Sequence, residues 1–154
     1  MGGRRKGREL ALQMLFQWDL SKESFHNVCR TFWTLHSESE EDVRAFADRL
    51  VEGAVDHSES IDVLLARHAE HWRVSRMPAV DRNILRVATY ELLYESQTPS
   101  VVVINEALEI ARKFSTSESI QFINGILDSI RKENEPAKSA NSPEMPANTD
   151  IPED

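Results

Sequence analysis

Arg76-Met-Pro-Ala-Val-Asp-Arg-Asn-Ile-Leu-Arg-Val-Ala-Thr-Tyr-Glu-Leu-Leu-Tyr94 is the segment on which the reading of the fold turns. Val80, Ile84, Leu85, Ala88 and Leu92 recur at helical spacing, and Val87 and Tyr94 add a second apolar edge. A helix that is apolar on two sides belongs at the centre of a helical assembly. Pro78 suits a first helical turn, because its missing N–H would have no intrahelical partner there and its φ is already helical. The helix is therefore predicted to start near Pro78. Its remaining polar side carries Asp81, Arg82, Arg86 and Glu91, read either as solvated charge on a core helix or as enough charge to meet a partner.

Upstream, Leu10, Ala11, Met14, Leu15 and Trp18 make one apolar stripe, predicting a first helix from about Arg5 to Leu20. Ser24 is placed to cap a second helix bearing Phe25, Val28, Cys29 and Phe32. A third carries Val43, Phe46, Ala47, Leu50, Val51 and Ala54 inward. A fourth follows Ser60 with Ile61, Leu64, Leu65, His68 and Trp72. Downstream, Ser96 to Pro99 reads as a turn. The next helix has Val101 to Val103 as its first turn or as a short lead-in, and Ile104, Ala107, Leu108, Ala111 and Phe114 on its inner face. Ser117 is the expected cap of a seventh, with Ile120, Ile123, Leu127 and Ile130 in its stripe and Phe122 and Ile126 off it. Gly125 inside that helix costs roughly 1 kcal/mol against Ala, which predicts close approach of another backbone. No segment reads as a strand, so the chain is expected to be all-α with about seven helices.

The 154 residues are enough for one domain, and a 40% hydrophobic, 29% charged composition with five glycines and six prolines is that of a globular helical protein. Residues 1–133 are expected to form one helical domain. Residues 134–154, with Pro136, Pro143, Pro146 and Pro152 among small and acidic residues, are expected to be a disordered tail. No apolar run approaches the roughly 20 residues of a membrane span. The single cysteine, Cys29, has no internal disulfide partner, which points to a reducing compartment, and a cytoplasmic location is expected.

Charge is distributed unevenly. The net charge is −8, of which the tail holds −4, yet the first nine residues place Arg4, Arg5, Lys6 and Arg8 against Glu9 alone. Positive charge at a helix N-terminus opposes the helix dipole by about 0.3–1 kcal/mol per group. Such a cluster is better explained by an anion outside the helix, and arginine-rich segments commonly grip RNA backbones. The plain alternative is a polar, unstructured end. His68 and His71 stand three apart, but no third ligand follows in a metal-site pattern. No nucleophilic triad or paired-carboxylate arrangement is recognisable either, so neither metal, cofactor nor catalysis is expected.

Three motifs, in order and in helical phase, give the chain a family resemblance. They are Arg4-Arg5-Lys6-Gly7-Arg8-Glu9 running into Ala11-Leu12-Gln13; Val80-Asp81-Arg82-Asn83-Ile84-Leu85-Arg86 running into Tyr90-Glu91-Leu92; and Ile104-Asn105-Glu106-Ala107 followed by Phe122-Ile123-Asn124-Gly125-Ile126-Leu127-Asp128. Across about residues 4–130 the chain resembles the NusB family of transcription antitermination factors. The resemblance implies two packed three-helix bundles. It also implies a role: with a small-subunit ribosomal protein that doubles as NusE, binding the boxA element of nascent RNA so that ribosomal RNA operons are transcribed processively, other Nus factors and RNA polymerase being engaged indirectly.

Carried over by position, Arg4, Arg5, Lys6 and Arg8 match the family's RNA-binding segment, and Arg86 and Phe122 match positions near the RNA. Phe16, Asp81 and Glu118 match positions toward the protein partner. Three residues depart from the pattern. Gly7 stands where Ala is usual, Phe16 where Tyr is frequent, and Ser115 where Gly is frequent, a poorer occupant if that position is left-handed. Two other readings compete. A NusB-like module also forms part of ribosomal RNA cytosine methyltransferases, but Cys29 falls on a core stripe and the segment after 133 reads as tail. A self-associating helical adaptor without RNA specificity would bury the basic arm in a homodimer. The acidic tail, facing a +3 N-terminal segment, is expected to compete weakly with RNA for the arm.

Overall fold

The computed structural model describes residues 2–70 and 72–140, with side chains from 3 to 134. Among these, seven α-helices follow one another: α1 Gly2–Ser21, α2 Phe25–Leu35, α3 Glu41–Asp56, α4 Ser58–Ala69, α5 Ala79–Tyr94, α6 Ser100–Phe114 and α7 Ser117–Ala140. One 3-10 turn, Val74–Arg76, precedes α5. Helices α1, α2 and α3 pack together as one bundle, and α5, α6 and α7 as a second, with α4 lying against α5 and α7. Helix α5 touches α1, α3, α4, α6 and α7, so the segment apolar on two sides does occupy the centre. Its Leu85 is completely buried and Ile84 and Val87 nearly so, each contributing about 1.5–3 kcal/mol through burial.

Local chemistry explains most boundaries. Ser24 accepts a hydrogen bond from Asn27 N at 3.1 Å and caps α2. Val101 to Val103 lie in the first turn of α6. The cap of α7 is Thr116 rather than Ser117: its Oγ1 accepts from Ser119 N at 3.1 Å. Ser60 lies inside α4 and donates to His57 O at 3.1 Å.

The structure corrects other expectations. Trp72 is not part of α4, which ends at Ala69 before Glu70 takes φ 61°. Phe114, expected inside, is 38% exposed, and Ile126, expected off the stripe, is buried. Gly125 has open space where a Cβ would go. The close approach is instead at Gly53, where a Cβ would meet the Tyr90 ring at 2.1 Å, so α3 and α5 pack through a missing side chain. Ser115 has φ −133°, extended backbone that needs no glycine. Helix α7 is described as far as Ala140; residues 141–154 of the expected tail lie outside the described residues, as does His71.

Candidate nucleic-acid interface

The basic arm is helical, occupying the first two turns of α1. Arg4 lies with its guanidinium 4.1 Å from the centroid of the Phe46 ring on α3, a cation–π arrangement. Arg5 makes a two-pronged ion pair with Glu106 on α6, Nε and Nη2 donating at 2.9 and 3.0 Å. Arg8 turns inward to Glu91 on α5, with Nη2 at 2.6 Å and Nε at 2.9 Å. Both are buried. Lys6 is exposed and forms no ion pair among the described residues. The hydrogen bond from Arg5 holds the Glu106 carboxyl below its ordinary pKa and raises that of Arg5.

The anions that two of the four cations meet are therefore internal, and their fixed carboxylates offset the helix dipole. Gly7 belongs to the same arrangement, since a Cβ there would approach the Phe46 ring to 2.7 Å. Arg4, Arg5 and Arg8 line one side of a cleft whose other wall is Gln97, Thr98, Pro99, Val102 and Glu106. Sequence reasoning missed Phe46, Glu91 and Glu106 as the arm's supports. A signal was present, because both acids fall inside the motifs that carry the resemblance.

Arg86 lies in a buried network between α1, α4 and α5. Its Nε and Nη2 donate to Asp62 at 2.9 and 2.8 Å, and Nη1 donates to Asn83 Oδ1 at 2.9 Å. Asp19 receives Arg82 Nε at 2.6 Å and Asn83 Nδ2 at 3.0 Å. Burial opposes the Arg86 charge, but the Asp62 and Asp19 carboxylates outweigh it and raise its pKa. These bonds tie α5 to α1 and α4.

Asp81 is equally occupied. At 2% exposure its two oxygens accept from the hydroxyls of Ser115 and Ser119, each at 2.5 Å. The serine that departs from the family pattern thus ties the α6–α7 loop to α5. Beside it, Glu118 is exposed and Phe122 half-buried, and both line a pocket with Trp72, Met77, Pro78, Thr116 and Ser119. Phe16 lies elsewhere, half-buried in an apolar groove with Leu20, Leu35, Val80 and Phe114. Leu20 and Leu35 are 53% and 73% exposed.

The residues singled out from the sequence thus fall into four places: the arm and its cleft, the Arg86 network, the Asp81 pocket and the Phe16 groove. Among the described residues no group of His, Cys, Asp or Glu could hold a metal ion. His68 is engaged by Ser129 and Glu133 of α7. No helix among them is long and apolar enough to cross a membrane.

Two helical bundles around one central helix, with a cation-bearing first helix held by the buried Glu91 and the half-buried Glu106, define an all-helical protein with a basic edge and a separate apolar groove. The NusB family model matches residues 5–132, and the chain belongs to the NusB family. It is 58% identical over 132 residues to the transcription antitermination protein NusB of Koribacter versatilis, covering 86% of this chain and 90% of that one. With the same protein of Solibacter usitatus it shares 49% over 134 residues, covering 86% and 91%. A structure of T. maritima NusB superposes with a TM-score of 0.78 at 38% identity, covering 84% of this chain and 91% of that one. A chain of the crystal structure of antitermination factors NusB and NusE in complex with dsRNA gives 0.79 at 27%, covering 86% and 98%.

Proposed function

We propose that this chain is a transcription antitermination factor that, with a small-subunit ribosomal protein of the NusE kind, binds the boxA element of nascent RNA and keeps ribosomal RNA operons transcribed processively. The observation that carries this reading is the match of the whole helical domain to antitermination proteins, with the basic arm presented on α1 at the edge of a cleft. Arg4 and Lys6 are the arm's accessible cations and take RNA phosphates, with Arg5 joining from its exposed ion pair. Arg8 and Arg86 hold the helices that present them. The groove around Phe16 and the exposed Glu118 receive the ribosomal protein, whose contacts extend the assembly to other Nus factors and RNA polymerase. The chain works in the cytoplasm as a binding factor without catalytic chemistry.

The test is binding of a boxA-containing RNA, with and without the ribosomal protein, at two salt concentrations, against a scrambled RNA. Tighter binding to boxA, strengthened by the ribosomal protein, is the expected result. Equal binding to both RNAs would sink the antitermination reading. Gel filtration across a concentration range separates the heteromeric complex from a homodimer that buries the basic arm.

A further inference from the structure

The segment between α4 and α5 plays no part in the assignments made above. Glu70, at φ 61°, ends α4 and turns the chain outward. Trp72 follows at 52% exposure, where Trp33 is at 6% and Trp18 is partly buried. Tryptophan is highly buried on average. Its indole meets Phe122 edge-on, with ring centroids 5.9 Å apart and planes at 65°. The two rings line a pocket together with Met77, Pro78, Asp81, Thr116, Glu118 and Ser119; the Asp81 oxygens there are taken up by the Ser115 and Ser119 hydroxyls. Arg73 and Arg76 follow the indole one and four positions on, both exposed, and neither guanidinium has an ion pair or hydrogen bond among the described residues.

An exposed indole opening onto a pocket, next to two unpaired guanidiniums, is the combination that single-stranded nucleic acid requires: a π-face for a base and cations for its phosphates. A base laid parallel to the indole meets Phe122 at its edge, the geometry aromatic pairs prefer. We infer that Trp72, Arg73 and Arg76 form a second contact for single-stranded RNA, in which one unpaired base stacks on Trp72 inside the Trp72–Phe122 pocket and the two arginines take the flanking phosphates. This rests on the RNA-binding reading above and adds to it a base-reading position away from the α1 arm.

The test uses the full chain and the boxA-containing RNA. Trp72→Ala is expected to weaken binding about 5- to 100-fold, the range of one lost stacked base, while Trp72→Phe retains most of the affinity. Removing Arg73 and Arg76 lowers the logarithmic salt slope by about 0.7 each. RNA quenches tryptophan fluorescence in the wild type but much less in Trp72→Phe. Circular dichroism melts check that the exposed substitutions leave folding intact. If the wild type binds RNA while Trp72→Ala binds equally well and Trp72→Phe is quenched as before, the inference is overturned and the arm remains the RNA site. If the substitutions weaken only the ribosomal protein, the pocket is a protein contact and the inference again fails. If the wild type binds no RNA, both readings fall together.

Discussion

Arg8 and Glu91 form a buried ion pair across the α1–α5 contact, their charged atoms 2.6 Å apart and their side chains 7% and 2% exposed. Truncating either partner strands the other charge in the interior, which costs about 3–5 kcal/mol. Urea unfolding of Arg8→Ala and Glu91→Ala is expected to show losses of that size. Arg8→Met with Glu91→Leu should lose far less than the two single changes added together. Additive losses would mean that the residues do not act as a pair.

The same geometry divides the arm by role. Arg4→Ala and Lys6→Ala are each expected to lower the logarithmic salt slope of RNA binding by about 0.7, Lys6→Ala without changing the unfolding midpoint and Arg4→Ala with a loss of no more than the about 0.5–1 kcal/mol of its contact with Phe46. Arg8→Ala should lower the midpoint and leave the slope of the folded fraction unchanged. A slope change from Arg8 equal to that from Lys6 would place Arg8 on the RNA.

Gly53 lies directly under the Tyr90 ring, with no room for a methyl group. Gly53→Ala is expected to destabilise by about 1–3 kcal/mol through overpacking. In a Tyr90→Leu background the same substitution should cost less, because the ring it strikes is gone. Thermal melts of the four proteins check this, and an equal cost in both backgrounds would rule out the steric account.

Burial works to raise the Asp19 carboxyl, but hydrogen bonds from Asn83 and Arg82 and the Arg86 charge prevail and lower it from its ordinary 3.8. The folded state therefore binds this proton more weakly than the unfolded chain. The stability it contributes is complete above about pH 4 and is lost as pH falls through the lower, folded value. Asp19→Asn should reduce stability at neutral pH and flatten its decline below about pH 4. Unfolding free energies measured from neutral to acid pH would reveal an unchanged acid limb if the assignment is wrong.

Cys29 donates to Asp48 at 3.4 Å, and burial, followed by the Asp48 charge, pushes its thiol up to about 11. The thiolate is the reactive form. Alkylation by iodoacetamide at about pH 8 is expected to be on the order of tenfold slower in the folded than in the urea-unfolded chain, the smaller thiolate fraction being offset in part by the higher nucleophilicity of a more basic thiolate. Asp48→Asn should accelerate it. Equal rates in the folded and unfolded states would contradict this environment.

The elements themselves were legible along the chain because burial of a helical face imposes a period. Val80, Ile84 and Leu85 marked α5, and Ser24 marked the start of α2 through a bond that spans three residues. Errors clustered where a residue's environment is supplied by distant segments. Phe114 has the spacing of an inner residue but opens onto the Phe16 groove, and Trp72 continues the α4 rhythm although the backbone has already reversed at Glu70. Gly125 and Gly53 are alike as letters, and only the position of Tyr90 tells them apart.

What the sequence determined alone was the all-helical class, the central place of α5 and the cluster of cations on α1, carried by local periodicity and composition, and the family, carried by the resemblance of three motifs. The tertiary structure decided what those cations do. Arg8 and Arg86 find carboxylates on other helices, while Arg4 and Lys6 remain accessible at the edge. Charge is written in the sequence, but whether it is spent inside or offered outside depends on which acids the fold brings within about 3 Å. Glu91 and Glu106 stand 83 and 101 positions from their arginines, a separation that no local pattern spans.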